Sequence, residues 1–260
     1  MRIGVCAQAE AARQFASGVV DYIEVSAPAF LKPEAPESAF EASLALLDEM
    51  PAPVEAANCF IIPEIKTTGP DVDDERLRRY VRTACVRAGR AGIAVIVFGS
   101  GGSRQVPDGF AKEKALCQLI DRLKQWGDWA GENGVTLAIE PLNRAECNII
   151  NSVAEGQELA EKVGRESVRL LVDFYHLAKE HEPLDHVIRA GYLLRHAHIA
   201  EAAERTFPGA KGDDFRPAFR ALKAAGYSGR VSLECGWGDL PAEVAGSVAY
   251  LRRQSEEAGI

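Results

Sequence analysis

The sequence predicts a single (β/α)₈ barrel over residues 1–260, and three observations predict it. Short apolar, β-rich runs alternate with longer stretches of helical spacing until eight pairs are complete. No GxGxxG follows the first apolar run, so the rival open, doubly wound sheet lacks its usual mark. Polar and ionisable residues recur at the C-terminal ends of the runs, the face on which such barrels carry their active sites. No linker, low-complexity segment or composition break divides the chain, so one domain is expected.

Taken in order, Arg2–Cys6 reads as the first strand, with a helix over Gln8–Gly18 closed by the glycine. Tyr22–Ser26 is the second strand. A proline-rich loop, Pro28–Pro36, and a helix over Glu37–Met50 follow. Val54–Ile61 is the third strand, and Asp71–Ala91 is a charged helix with Leu77, Tyr80, Val81, Ala84 and Ala88 on one face. Ile93–Phe98 is the fourth strand. It runs into GSGGSRQVPDGF, the most loop-like segment of the chain, and then a helix over Lys112–Asn133 that Gly134 ends. Thr136–Glu140, Arg169–Asp173, Leu194–Ala200 and Val231–Cys235 are the remaining strands. Between and after them lie helices over Ser152–Val163, capped by Ser152, and over Leu184–Ala190, Phe215–Ala225 and Pro241–Glu257.

Composition narrows the partners. Hydrophobic residues make up 47% of the chain, enough for a sizeable core, and the net charge of −8 argues against a nucleic-acid backbone or an anionic membrane surface as the main partner. The six cysteines form no CxxC pair, which fits buried reduced thiols rather than a disulfide framework. The N-terminus opens straight into a strand-like run, without a signal-peptide h-region or a bilayer-length apolar run. A cytoplasmic protein acting on a small molecule is expected; its oligomeric state is open, a homo-oligomer being one option because dimers are common among such barrels.

The chemistry concentrates at four strand ends: TLAIE closes on Glu140, VRLLVD on Asp173, LLRHAHIAE carries His198, and VSLE closes on Glu234. Singly, each reads best as a solvated or structural side chain. Together they occupy equivalent positions on successive units, which a barrel brings within a few ångströms of one another. Two Glu, one Asp and one His make an oxygen-rich site for a divalent metal. Two carboxylates from different strands can also remove a proton from a bound carbon and return it, while a metal stabilises the charge of an enediolate. The rival reading of the glutamates is that they only hold metal, or that they pair with Arg144 or Arg230.

Other residues are candidates of lower weight. His176, three residues past Asp173, is placed to reach a substrate oxygen. His198 is taken as the ligand because it lies nearer the strand end, with His196 assigned to the opposite face; His181 and His186 read as surface residues. The glycine-rich loop lacks the GK[ST] ending of a P-loop and reads as a mobile loop beside the site. Arg205 could supply positive charge, and Trp237 and Phe98 could wall a sugar, although exposed-loop and core roles are the commoner ones for such residues.

The runs IEPLNRAECNIINS, LLVDFYHLAKE, HAHIAE with ERTFPG, and VSLECGW resemble the ketose 3-epimerases, the D-tagatose and D-psicose 3-epimerase group of the xylose isomerase-like TIM-barrel superfamily. The match covers roughly the C-terminal half, and EPLNR…E and DxxH are its most specific parts. It implies one divalent ion, commonly Mn²⁺, with Mg²⁺, Co²⁺ or Zn²⁺ as alternatives, held by Glu140, Asp173, His198 and Glu234. It implies Glu140 and Glu234 as the acid/base pair at C3, His176 near O2 of the sugar, and Glu146 orienting the surroundings of Glu140 and the substrate. Arg205 matches a substrate-binding arginine, although its spacing from His198 departs from the family's.

The expected activity is epimerisation of a small ketose or keto-sugar at C3 through a metal-bound cis-enediolate. The same site suits two near alternatives: aldose–ketose isomerisation of the hydroxypyruvate isomerase kind, and elimination or hydration of a 3-keto sugar. A metal-dependent abasic-site endonuclease would need more His and Asp ligands and a basic groove. A non-catalytic sugar-binding barrel would not need the two glutamates as acids.

Overall fold

The structure, a computed structural model, describes all 260 residues. Its centre is a closed barrel of eight parallel strands paired in sequence order, with β1 bonded to both β2 and β8. The strands are β1 (Arg2–Cys6), β2 (Tyr22–Ser26), β3 (Val54–Asn58), β4 (Val95–Phe98), β5 (Thr136–Ile139), β6 (Val168–Asp173), β7 (Leu194–Ile199) and β8 (Arg230–Leu233). Their near-continuous apolar character follows from burial on both faces.

The connecting helices are α1 (Ala9–Ala12), α2 (Ala27–Leu31), α3 (Glu37–Ala45), α4 (Asp74–Arg90), α5 (Gly101–Arg104), α6 (Lys112–Glu132), α7 (Val153–Val163), α8 (Phe174–Lys179), α9 (Leu184–Arg189), α10 (Arg216–Ala224) and α11 (Leu240–Glu257). Local chemistry sets their ends. Asp73 caps α4 by accepting from Arg76 N at 2.9 Å, and Ser152 caps α7 by accepting from Glu155 N at 3.1 Å. Gly164, at φ 62, closes α7 in the left-handed conformation.

The apolar residues divide unequally. A cluster of 68 buried side chains fills the space between strands and helices, whereas the separate cluster of Tyr22, Ala56, Val95, Val97, Ala138 and Leu171 accounts for the barrel's lower interior. Several of these interior residues are small. Above them the barrel holds a polar layer, Glu24, His196, His198 and Ser232, each fully buried. That layer is the floor of the site.

Five local expectations need correction. The helix expected over Gln8–Gly18 is one turn, α1, after which the chain runs in turns to Gly18 at φ 81. The third strand stops at Asn58, where Cys59 turns the chain at φ 53, short of the expected Ile61. The proline-rich loop contains α2, with proline in its first turn, and the glycine-rich loop contains the single turn α5. Cys59 and Cys117 are exposed rather than buried, although all six thiols are free. No helix is long and apolar enough to cross a membrane.

Candidate active site

Glu140 and Glu234 lie one residue beyond β5 and β8, Asp173 is the last residue of β6, and His198 is the fifth of β7. Ligand atoms of all four lie within 4.8 Å of one another. His198 Nδ1 is 3.3 Å from Glu140 Oε1 and 3.1 Å from Glu234 Oε2. Three carboxylates and one imidazole, nearly all shielded from water, form a hard, oxygen-rich set that fits a divalent cation. The rival pairings do not form: Arg144 bonds Glu180, and Arg230 bonds Glu55 at 2.7 Å.

The crowding of negative charge shows in the titration of the group. Burial, reinforced by Glu234, pushes the Asp173 carboxyl up to about 6, and the same two causes raise Glu140. Burial works against the charge of Glu234 as well, but His198 and Arg205 outweigh it and pull its carboxyl down to about 2. The surroundings thus push the two glutamate carboxyls in opposite directions.

Glu24, on β2, was not singled out from the sequence. Its carboxylate is fully buried and lies 2.9 Å from His198 Nε2, 2.6 Å from His196 Nε2 and 2.6 Å from Ser232 Oγ, whose hydroxyl is in turn 2.7 Å from Tyr22 OH. Burial disfavours its charge, but the two histidines hold its carboxyl well below the usual range. The expectation that His196 faces away from His198 is wrong. Side chains two residues apart on a strand share a face, so both rings point inward, with centroids 5.0 Å apart. With Nε2 turned to Glu24, His198 presents Nδ1 to the cluster.

Arg205 reaches the site. Its Nη2 is 2.5 Å from Glu234 Oε2 and 3.3 Å from Asp173 Oδ2, its Nη1 is 3.6 Å from Glu146 Oε1, and its guanidinium lies 4.7 Å over the Tyr175 ring. It does so from a left-handed backbone, φ 52, with its carbonyl accepting from Gly236 N at 2.8 Å. Asn58 Nδ2 donates to Glu234 Oε1 at 3.1 Å. On the other side, Asn143 donates to His176 Nδ1 through its backbone N at 3.3 Å and its Nδ2 at 2.8 Å, and that Nδ2 lies 3.0 Å from Glu146 Oε1. Nδ1 is thus an acceptor, so Nε2 carries the proton of the neutral ring; that nitrogen is buried without a partner.

A cavity of about 300 Å³ opens above these groups, with Glu140, Glu146, His176, Arg205 and Glu234 on one side and Cys59, Ile61, Ile62 and Pro63 among its other walls. The glycine-rich loop lines it with Gly99 to Gly102. A Cβ at Gly99 would lie 2.0 Å from Glu140 Oε2, so the bare glycine leaves the carboxylate its present position. The two aromatics expected as walls are elsewhere. Phe98 packs edge-on against Phe60 and Trp126 in the outer core, and Trp237 stacks on Phe207 at 5.2 Å. His186 is bound by Glu182 at 2.6 Å, and His181 is exposed.

Beneath the loop, Arg104 is completely buried. Its guanidinium donates to the carbonyl of Phe98 at 2.9 Å and to that of Glu140 at 2.7 Å, which ties the ends of β4 and β5 together.

Comparison with known proteins agrees with the geometry. The D-psicose 3-epimerase of Agrobacterium fabrum is 35% identical over 116 residues, 44% of this chain and 40% of that one. The 3-dehydro-D-guloside 4-epimerase of Escherichia coli is 32% identical over 117 residues, 45% of this chain and 44% of its own length. The aligned stretch thus spans less than half the length of these curated relatives. A solved L-ribulose 3-epimerase superposes with a TM-score of 0.82 at 20% identity, over 99% of this chain and 95% of the other, a likeness of fold. The sequence profile of the xylose isomerase-like TIM barrel family matches residues 12–254, and the chain belongs to that family.

Proposed function

We propose that the chain is a divalent-metal-dependent epimerase that inverts C3 of a small ketose or keto-sugar, with Glu140 and Glu234 as the acid/base pair. The observation that carries this reading is the shared position of the two carboxylates: both line one cavity, and both approach His198 Nδ1. Glu140, Asp173, His198 and Glu234 would hold the ion, proposed to be Mn²⁺, whose charge stabilises the negative charge that develops on the sugar's oxygens.

The residues divide the remaining work. One glutamate removes the proton from C3, next to the C2 carbonyl, and leaves an enediolate. The other returns a proton to the opposite face, which inverts the centre. His176 lines the cavity, and its unpartnered Nε2–H serves as a donor for a substrate oxygen, while Arg205 supplies a second set of donors. Glu146, held by Asn143, accepts from a hydroxyl. The apolar walls at Ile61, Ile62 and Pro63 keep water from the carbanionic carbon.

Incubation with D-psicose and Mn²⁺ in D₂O tests the reading. Solvent deuterium at C3 of substrate and product is expected, and its absence across a panel of ketoses would sink it. A second reading has its own support in the match to the E. coli 4-epimerase: a 3-keto glycoside would then exchange at C4. Label at C1 of a ketose would instead mean aldose–ketose isomerisation. Six free thiols fit a reducing compartment such as the cytoplasm, and a homo-oligomeric state belongs to the same proposal.

A further inference from the structure

Glu201 lies just past β7 and is fully buried, in a connection whose following residues, 202–214, are mostly at the surface. Its carboxylate accepts from the backbone N–H groups of Gly209 at 2.8 Å, Lys211 at 2.5 Å, Gly212 at 2.9 Å and Asp213 at 3.3 Å, and from Thr206 Oγ1 at 3.2 Å. Its own N–H bonds Thr206 O at 3.0 Å. The ammonium of Lys211 turns away to Glu204 at 3.4 Å, so the donors around the buried charge are neutral. Gly209 and Gly212, at φ 98 and 88, let the chain turn these N–H groups inward. Convergent amides of this kind form an anion-binding nest, occupied here by a side chain of the same loop.

We propose that Glu201 is a positioning residue: an internal anion around which the loop 202–214 folds, so that Arg205 is held over the carboxylate cluster. Arg205 directly precedes Thr206, one of the residues gripped by Glu201, and its left-handed backbone needs support from its surroundings. The segment has no helix or strand of its own, only the bridge between Thr206 and Gly236. Without the carboxylate, four inward-facing N–H groups would have no acceptor, and the loop would open to find water. The inference rests on the reading of Arg205 as a substrate-binding residue.

The experiment replaces the side chain with a free anion. Glu201→Ala removes the carboxylate and leaves room for formate in the nest. In sodium chloride, the Mn²⁺-loaded variant is expected to be cut quickly by trypsin after Arg205 and Lys211, and to lose about a hundredfold in exchange at C3 of D-psicose, as expected when a positioning group is misplaced by about an ångström. Sodium formate at equal ionic strength should restore both, and neutral formamide should restore neither. The near-isosteric Glu201→Gln, which sets an amide N–H₂ against the donors, should be slow and unresponsive to formate. Wild-type behaviour of Glu201→Ala, or equal effects of formate and formamide, would overturn the proposal. If the wild-type protein exchanges nothing across the ketose panel, the proposed activity fails, and formate-dependent protection from trypsin still decides the role of Glu201.

Discussion

Oε1 of Glu24 lies 2.9 Å from Nε2 of His198, on the side of the ring opposite to Glu140 and Glu234. A carboxylate behind a metal-facing imidazole fixes its tautomer and raises its basicity. Glu24→Gln keeps the shape but not the charge. It should weaken Mn²⁺ binding by about 10–100-fold, the usual effect of losing such a partner. Titration calorimetry on chelator-stripped protein measures this. An unchanged affinity would make the contact a packing feature only.

Glu140→Gln and Glu234→Gln separate the two faces of the reaction. Each should slow epimerisation by about 10²–10⁴-fold, the range for loss of a general acid or base. Each should also block wash-in of deuterium from one epimer more than from the other, because each glutamate serves one face. NMR of both epimers in D₂O reads the asymmetry, once Mn²⁺ occupancy has been equalised between variants.

Gly99→Ala tests how tightly Glu140 is packed. The added methyl would lie 2.0 Å from Glu140 Oε2, so the carboxylate must move. Lower metal affinity and lower turnover are expected while the far-ultraviolet circular dichroism stays that of the parent. Retained affinity would show that Glu140 has room to shift.

Asp173 sets a pH dependence. Burial and Glu234 raise its carboxyl from 3.8 to about 6, so the folded state holds this proton more tightly than the unfolded chain. The resulting contribution to stability is present below 3.8 and is lost as pH rises to about 6. Glu234 acts in the opposite sense: lowered to about 2, it contributes stability above 4.5 that is lost as pH falls. A bound cation displaces the Asp173 proton. The rise in Tm on adding Mn²⁺ should therefore be small at pH 5 and should grow through pH 6 to pH 7.5. A gain independent of pH would mean that the Asp173 carboxyl is already ionised at pH 5.

Arg104→Met leaves the carbonyl of Glu140 without its buried donor, while that of Phe98 keeps the Glu140 N–H at 3.2 Å. An unsatisfied group costs about 1–3 kcal/mol, and urea unfolding should show a loss of that order. Arg104→Lys should recover only part of it, since one ammonium cannot span both carbonyls with a guanidinium's geometry.

Much of the barrel was legible before folding, because strand and helix periodicities and chain order are local properties and sequential parallel pairing follows from them. The four-residue cluster was legible for the same reason: Glu140, Asp173, His198 and Glu234 recur at equivalent ends of successive units, and the structure brings them together. Element ends were less legible, since Cys59 and Ser100 adopt left-handed backbones that nothing in their side chains announces. His196 was misplaced by a misapplied strand period rather than by missing information. What only the tertiary structure decided is which distant residues meet. Glu24 is 174 residues from His198, Arg205 is 59 beyond Glu146, and the wall at Cys59 to Pro63 faces carboxylates from the other half of the chain. Periodicity places a side chain on a face, but barrel closure brings those faces into contact, and there burial and charge set what each group can do.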